Sequence, residues 1–139
     1  AHVINYTKDD FSRKVMEITN NNGVPAVFDG VGKNTFKGSL ACLSTRGVMV
    51  SFGNASGPLD PVNVPKDIQP KGLYLTRPSI VQYFKNRKEL QKGADEVFEK
   101  VKFGKIKISI FKEYKLADAQ QAHQDLESRK LTGPAILIP

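Results

Sequence analysis

The apolar positions of this chain change period several times, and each change marks a passage between strand-like and helix-like sequence. Val48-Met49-Val50-Ser51-Phe52 lacks a regular polar alternation, stops at Gly53, and runs into the small polar loop Asn54-Ala55-Ser56-Gly57. Such a run reads as a strand buried on both faces, as in a parallel sheet covered by helices. Pro25-Ala26-Val27-Phe28-Asp29-Gly30-Val31-Gly32 repeats the design about a helix length upstream. In open α/β sheets, ligands bind outside the carboxyl ends of the strands, where such glycine-bearing loops let a backbone approach closely. Between these runs the period is helical. Asp9 and Asp10 open a helix with Phe11, Val15 and Ile18 on one face, stopped at residues 20–23. Phe36, Leu40 and Leu43 mark a second helix with Gly47 as its stop. Residues 2–6 read as a strand, and a loop holding Pro58, Pro61, Pro65 and Pro70 leads to the short strand Leu73-Tyr74-Leu75-Thr76, closed by Arg77-Pro78.

Beyond Pro78 the pattern changes. Leu90, Ala94, Val97, Phe98 and Val101 predict an amphipathic helix, and residues 105–111 alternate like a half-buried strand. Leu116, Ala119, Ala122, His123 and Leu126 share another helical face, and Ala135-Ile136-Leu137-Ile138 forms a closing strand. Alternating strands and helices predict an α/β fold with a parallel, doubly wound sheet of which only a part is present. The strand-linked Gly-x-Gly-x-x-Gly that opens a dinucleotide-binding sheet is missing.

Composition narrows the function. The 139 residues suffice for one ordinary core, and a chain starting at Ala1 directly with a strand reads as a piece of a longer polypeptide. No apolar stretch approaches the length of a membrane span. One cysteine, Cys42, excludes an internal disulfide and fits a reducing, cytoplasmic compartment; between Leu40 and Leu43 it reads as a small core residue. With Cys42, His2 and His123 the only usual soft ligands, a structural zinc site is not expected, and His123 reads as a helix-interface residue. The net charge of +7 permits contact with nucleic acid, but the excess is spread along the chain. Lys100, Lys102, Lys105 and Lys107 lack interleaved aromatic residues and read as a solvated face.

Val3-Ile4-Asn5-Tyr6, Phe28-Asp29-Gly30-Val31-Gly32, Val50-Ser51-Phe52-Gly53-Asn54, Leu75-Thr76-Arg77-Pro78 and Asp118-Ala119-Gln120-Gln121-Ala122-His123 follow one another in register, with Leu126-Glu127-Ser128-Arg129-Lys130 close behind. In this order they resemble the C-terminal part of NADPH:quinone oxidoreductases, the zinc-free, zeta-crystallin-like branch of the medium-chain dehydrogenase/reductase superfamily. The resemblance implies a partial Rossmann domain over residues 1–79 and the returning segment of the catalytic domain over residues 80–139. It implies NADPH as cofactor, a quinone or related electrophile as substrate, and a homodimer joined through the strand at Leu73-Tyr74-Leu75-Thr76. It places Tyr6 beside the adenosine ribose and its 2′-phosphate, and Gly30 and Val31 near the same ribose. Phe52 and Gly53 then approach the nicotinamide ribose, with Asn54 and Ser56 extending that loop. Thr76, Arg77 and Pro78 lie beside the nicotinamide, and Arg129, in the last helix, faces the cofactor phosphates.

Ala55 departs from close relatives, which often carry a hydroxyl residue there. No residue is assigned a catalytic role. On residue pattern alone, Tyr6 reads as a strand-end aromatic, Gly30 and Gly53 as turn glycines, and Arg77 and Arg129 as surface charges. A zinc-free alkenal or enoyl reductase, a basic nucleic-acid-binding module and a noncatalytic dimerisation domain are the alternatives. Lacking the glycine-rich turn, the chain is expected to bind NADPH poorly and to be inactive alone. Strand 2–6 is expected to have no native partner and to find one by non-native pairing or self-association.

Overall fold

The computed structural model describes residues 1–139 and divides into two compact units, Ala1–Phe84 and Lys85–Pro139. In the first, helix α1 (Phe11–Ile18) is capped by Asp10, whose side chain accepts from the Arg13 N–H. Strand β1 (Val24–Asp29), helix α2 (Phe36–Cys42), strand β2 (Leu43–Ser51) and strand β3 (Tyr74–Thr76) follow, with the short helix α3 (Ile80–Tyr83) at the end. The strands form a three-stranded parallel sheet in the order β1-β2-β3. This is the parallel α/β sheet expected from the alternating pattern, with β2 in the centre.

Phe36 and Leu40 of α2 meet Leu43 and Met49 of β2 and Leu73 in the core, with Val24, Val27, Leu59, Val62 and Ile68 packed against them. Cys42 is buried as expected, and burial pushes its thiol pKa up, leaving an inert side chain. The opposite sheet face differs from the expectation of a strand buried on both sides. Along β2, Gly47, Met49 and Ser51 are buried while Val48 and Val50 are half-buried, and Phe28 of β1 is 72% exposed. Val48, Val50 and Phe28 line an open apolar cleft of about 760 Å³ with Ile80, Tyr83 and Phe84, so the unalternating run belongs to a sheet with one closed and one open face.

Several boundaries also move. Residues 2–6 form no strand. The Asn5 carbonyl accepts from the Lys8 and Asp9 N–H groups and its side chain accepts from Thr7, closing a local turn in place of a sheet ladder. The second helix ends at Cys42 rather than Gly47. Val24 pairs with Leu43 but Ala26 with Val48, so the extra residues loop out of β2, with Arg46 at φ 61° and Gly47 against the Ser44 carbonyl. Gly47 therefore serves a bulge, not a helix stop. The proline-bearing loop holds a π-helical turn, Val64–Ile68, capped by Asn63, and a 3₁₀ turn, Gln69–Lys71. Lys71 donates from there to the Ala41 and Leu43 carbonyls at the end of α2.

The second unit holds helix α4 (Arg87–Lys102), strand β4 (Lys112–Lys115), helix α5 (Ala119–Glu127) and strand β5 (Ala135–Ile138), with β4 and β5 paired in parallel. Asn86 and Glu89 cap α4 reciprocally, which explains its start. The alternating stretch 105–111 is not a strand. The four-residue β5 pairs only with Lys112–Lys115, and residues 105–110 have no strand beside them.

The buried centre of this unit is Tyr114 with Asp125. The Tyr114 hydroxyl donates to Asp125 Oδ2 at 2.7 Å, Lys112 Nζ at 3.0 Å, and Gln121 Nε2 to Oδ1 at 2.9 Å. These donors, the tyrosine first, hold the Asp125 pKa down at about 2. A carboxylate whose folded pKa lies below its unfolded value stabilises fully above the unfolded value, and that contribution fades as pH falls through the folded one. Between about pH 4 and pH 2 the hold of α5 on β4 is therefore expected to loosen, read as a change in Tyr114 fluorescence. An Asp125→Asn variant is expected to lose this acid transition; a variant that keeps it at the same pH assigns the transition elsewhere.

Candidate functional site

The carboxyl ends of β1 and β2 meet in an unusually close approach. A Cβ on Gly53 would lie 2.3 Å from the Gly30 carbonyl oxygen, and one on Gly30 would lie 3.0 Å from the Phe52 ring. Only glycine fits the first position, because backbone rather than a movable side chain fills the space. Gly32, at φ 91°, faces the Gly57 carbonyl at 2.8 Å and the Asn54 Cα at 3.1 Å from its missing Cβ.

Hydrogen bonds then join the two loops. The Ser56 N–H and hydroxyl both donate to the Val31 carbonyl, at 2.7 and 2.8 Å, and the same hydroxyl accepts from the Asn34 N–H at 3.0 Å. The Ala55 N–H donates to the Gly30 carbonyl, and the Phe52 N–H to the Asp29 carbonyl at 3.0 Å. Beneath them lies Asp29, 5% exposed. Its Oδ1 accepts from the Val31 and Gly32 N–H groups at 2.8 and 3.0 Å, while the Thr35 and Ser39 hydroxyls each reach Oδ2 at 2.8 Å. Burial acts to raise the Asp29 pKa, but the bonds from Gly32, Ser39, Thr35 and Val31 outweigh it and hold the carboxyl below its ordinary value.

The sequence-selected residues fall into three places. Tyr6, Gly30 and Val31 line a cleft of about 340 Å³ with His2, Ile4, Phe11, Phe28 and Asp29. That volume is at the small end of ligand pockets, the size of a nucleoside rather than a dinucleotide. Phe52, Thr76 and Pro78 line the open apolar cleft on the sheet face; Gly53 packs on Gly30, Asn54 lines neither cleft, and Ser56 is engaged inward. Arg77 turns its guanidinium to the end of β2, donating to the Ser51 carbonyl at 3.2 Å. Arg129 belongs to the second unit and lies beyond α5 rather than in it, at φ 58°, where its N–H closes on the Leu126 carbonyl. That is the left-handed position after a helix, which most chains give to glycine.

Asp29, Thr35 and Ser39 were not selected from the sequence. The available signal was a carboxylate at a strand end with hydroxyls spaced six and ten residues further on.

Along its sequence, residues 1–137 of this chain match the family of zinc-binding dehydrogenases. The chain belongs to the zinc-binding dehydrogenase family. Among the proteins it resembles are several quinone oxidoreductases. The enzyme of Salmonella typhimurium is 45% identical over 139 residues, and a 2-haloacrylate reductase from a Burkholderia species is 40% identical over 139 residues. A crystal structure of Escherichia coli quinone oxidoreductase complexed with NADPH superposes with a TM-score of 0.91 at 44% identity, covering 99% of this chain and 43% of that one. The chain spans 42% of the length of both the Salmonella and Burkholderia proteins.

The family's metal is a separate matter. No group of three or more His, Cys, Asp or Glu side chains could hold an ion, and Cys42 is enclosed in the core, so the residues of this chain do not fit zinc. No helix is long and apolar enough to cross a membrane.

Proposed function

We propose that this chain forms part of an NADPH-dependent quinone oxidoreductase, with residues 1–79 as the later strands of the dinucleotide domain and residues 80–139 as a segment of the catalytic domain. The supporting observation is the Gly30–Gly53 approach, which puts a nucleoside-sized cleft and an apolar cleft on either side of one strand-end ridge. Tyr6, Gly30 and Val31 take the adenosine side. Phe52, Gly53, Asn54, Ser56, Thr76, Arg77 and Pro78 take the nicotinamide side, with Ser56 acting through its hold on Val31. Arg129 meets a phosphate, for which its planar fork suits better than an ammonium. NADPH, when bound, supplies hydride to the quinone. The chain itself contributes position and the exclusion of water by Phe52 and Pro78; no proton donor within it is assigned. The protein acts in the cytoplasm.

A second reading is supported by the Burkholderia relative, whose named substrate is an activated alkene rather than a quinone. Comparing quinones with 2-haloacrylates as acceptors in a protein that includes this chain separates the two.

The cofactor assignment is tested by titrating the chain with NADPH while following amide resonances. Weak binding, with Kd above about 1 μM, is expected because the pyrophosphate lacks its glycine-rich turn. Shifts at Tyr6, Gly30, Val31, Phe52 and Gly53 support the assignment, and shifts confined to other residues, or none, overturn it.

We further propose a homodimer that pairs the exposed strand β3 with its copy. Leu75→Pro is expected to lower the sedimenting mass from dimer to monomer; an unchanged dimer overturns the pairing.

A further inference from the structure

Glycines carry much of the strand-end ridge, and glycine backbones do not hold a shape by themselves. Gly30, Gly32, Gly53 and Gly57 all contribute to it, with Gly32 and Gly57 at positive φ. Something must fix the separation of the two loops. Ser56 ties the second loop to Val31, and Asp29 touches both loops and α2. Its carboxylate accepts from Val31 and Gly32 in the first loop and from Thr35 and Ser39 at α2, and its carbonyl accepts from Phe52 and Gly53 in the second loop. The side-chain site presents donors only, which suits a carboxylate, an acceptor without a proton of its own. The proposed function leaves this buried acid without a role.

We propose that Asp29 is a positioning residue for the cofactor, holding the turn at residues 30–32 and the loop at residues 52–56 at the single separation that a bound dinucleotide spans. The inference rests on the reading of these loops as the NADPH seat. Asp29 acts through the loops and need not touch the cofactor. An asparagine keeps one acceptor for the Val31 and Gly32 N–H groups, and the Thr35 hydroxyl has the Gly32 carbonyl as a second acceptor at 3.3 Å. Asparagine therefore repairs much of what alanine removes.

The test compares Asp29→Ala and Asp29→Asn with the unaltered chain in two measurements. In native-state amide exchange, Gly32, whose N–H loses its carboxylate acceptor, and Ser56, whose N–H crosses to Val31, are expected to exchange about tenfold faster in the alanine variant relative to Met49 of the central strand, with asparagine in between. Equal acceleration at Gly32, Ser56 and Met49 would mean a general loss of stability and overturns the proposal, as does no acceleration at all. In NADPH titration corrected for the folded fraction, alanine is expected to weaken binding about tenfold and asparagine less than about threefold. Equal affinity for all three folded proteins overturns the positioning role. If the unaltered chain binds no NADPH, the functional reading fails, and the exchange ratio still decides whether Asp29 clamps the loops. If the alanine variant does not fold, the exchange ratio and affinity of Asp29→Asn decide alone.

Discussion

Replacing Gly53 with alanine is expected to destabilise the first unit by about 3 kcal/mol, the upper part of the range for overpacking a close-packed interior. The added methyl would lie 2.3 Å from the Gly30 oxygen and 2.8 Å from both the Gly30 carbonyl carbon and Cα. All three atoms belong to the backbone at the end of β1, so no rotamer change relieves the contact. Relief requires the strand ends to separate, which breaks the Phe52 and Gly53 N–H bonds to the Asp29 carbonyl and the Ser56 bonds to Val31. Urea denaturation followed by far-UV circular dichroism checks this through the midpoint. A control is Gly57→Ala, where no atom lies within 4 Å but φ is 109°. Its cost is backbone strain alone, about 1 kcal/mol. Equal midpoints for the two variants would mean that the strand ends are loose enough to part freely.

The contrast between Gly53 and Gly57 also marks how far the sequence could be read. Apolar runs ending in glycine correctly located β1, β2 and the ridge between them, because a strand end is a local event written in adjacent residues. The spacing of Leu90, Ala94, Val97, Phe98 and Val101 located α4 for the same reason. Residues 2–6 and 105–111 carry equally good strand patterns, yet neither is a strand, because a strand exists only beside another and their alternation says nothing of a neighbour. Asp29 was hidden for a related reason. Its partners at Thr35 and Ser39 become neighbours only once α2 has folded back along β1, and a lone aspartate before a glycine reads as an ordinary turn residue. The family resemblance supplied Tyr6 and Arg129, which no local pattern would have separated from surface residues.

Met49 and Phe52 put the one-sided character of the sheet to a quantitative test. Both are large apolar residues of the same run, and on sequence alone both read as core. Met49 is 0% exposed, enclosed by Phe36, Leu40, Leu43 and Leu73, whereas Phe52 is 55% exposed at the rim of the open cleft. Met49→Ala removes enclosed contacts and leaves a cavity that the parallel ladder on both sides of β2 keeps from collapsing, a loss of about 3 kcal/mol. Phe52→Ala removes a ring already half in water and relieves its contact with Gly30, so its cost is expected to stay below about 1 kcal/mol. The order is the reverse of what side-chain size alone predicts, since phenylalanine is the larger residue. Chemical denaturation of the two variants decides it: a Phe52→Ala loss equal to that of Met49→Ala would mean that the apolar cleft is covered in solution. In that event Phe28, Val48 and Val50 face a packed neighbour, and the apolar side of the ridge is closed to a nicotinamide.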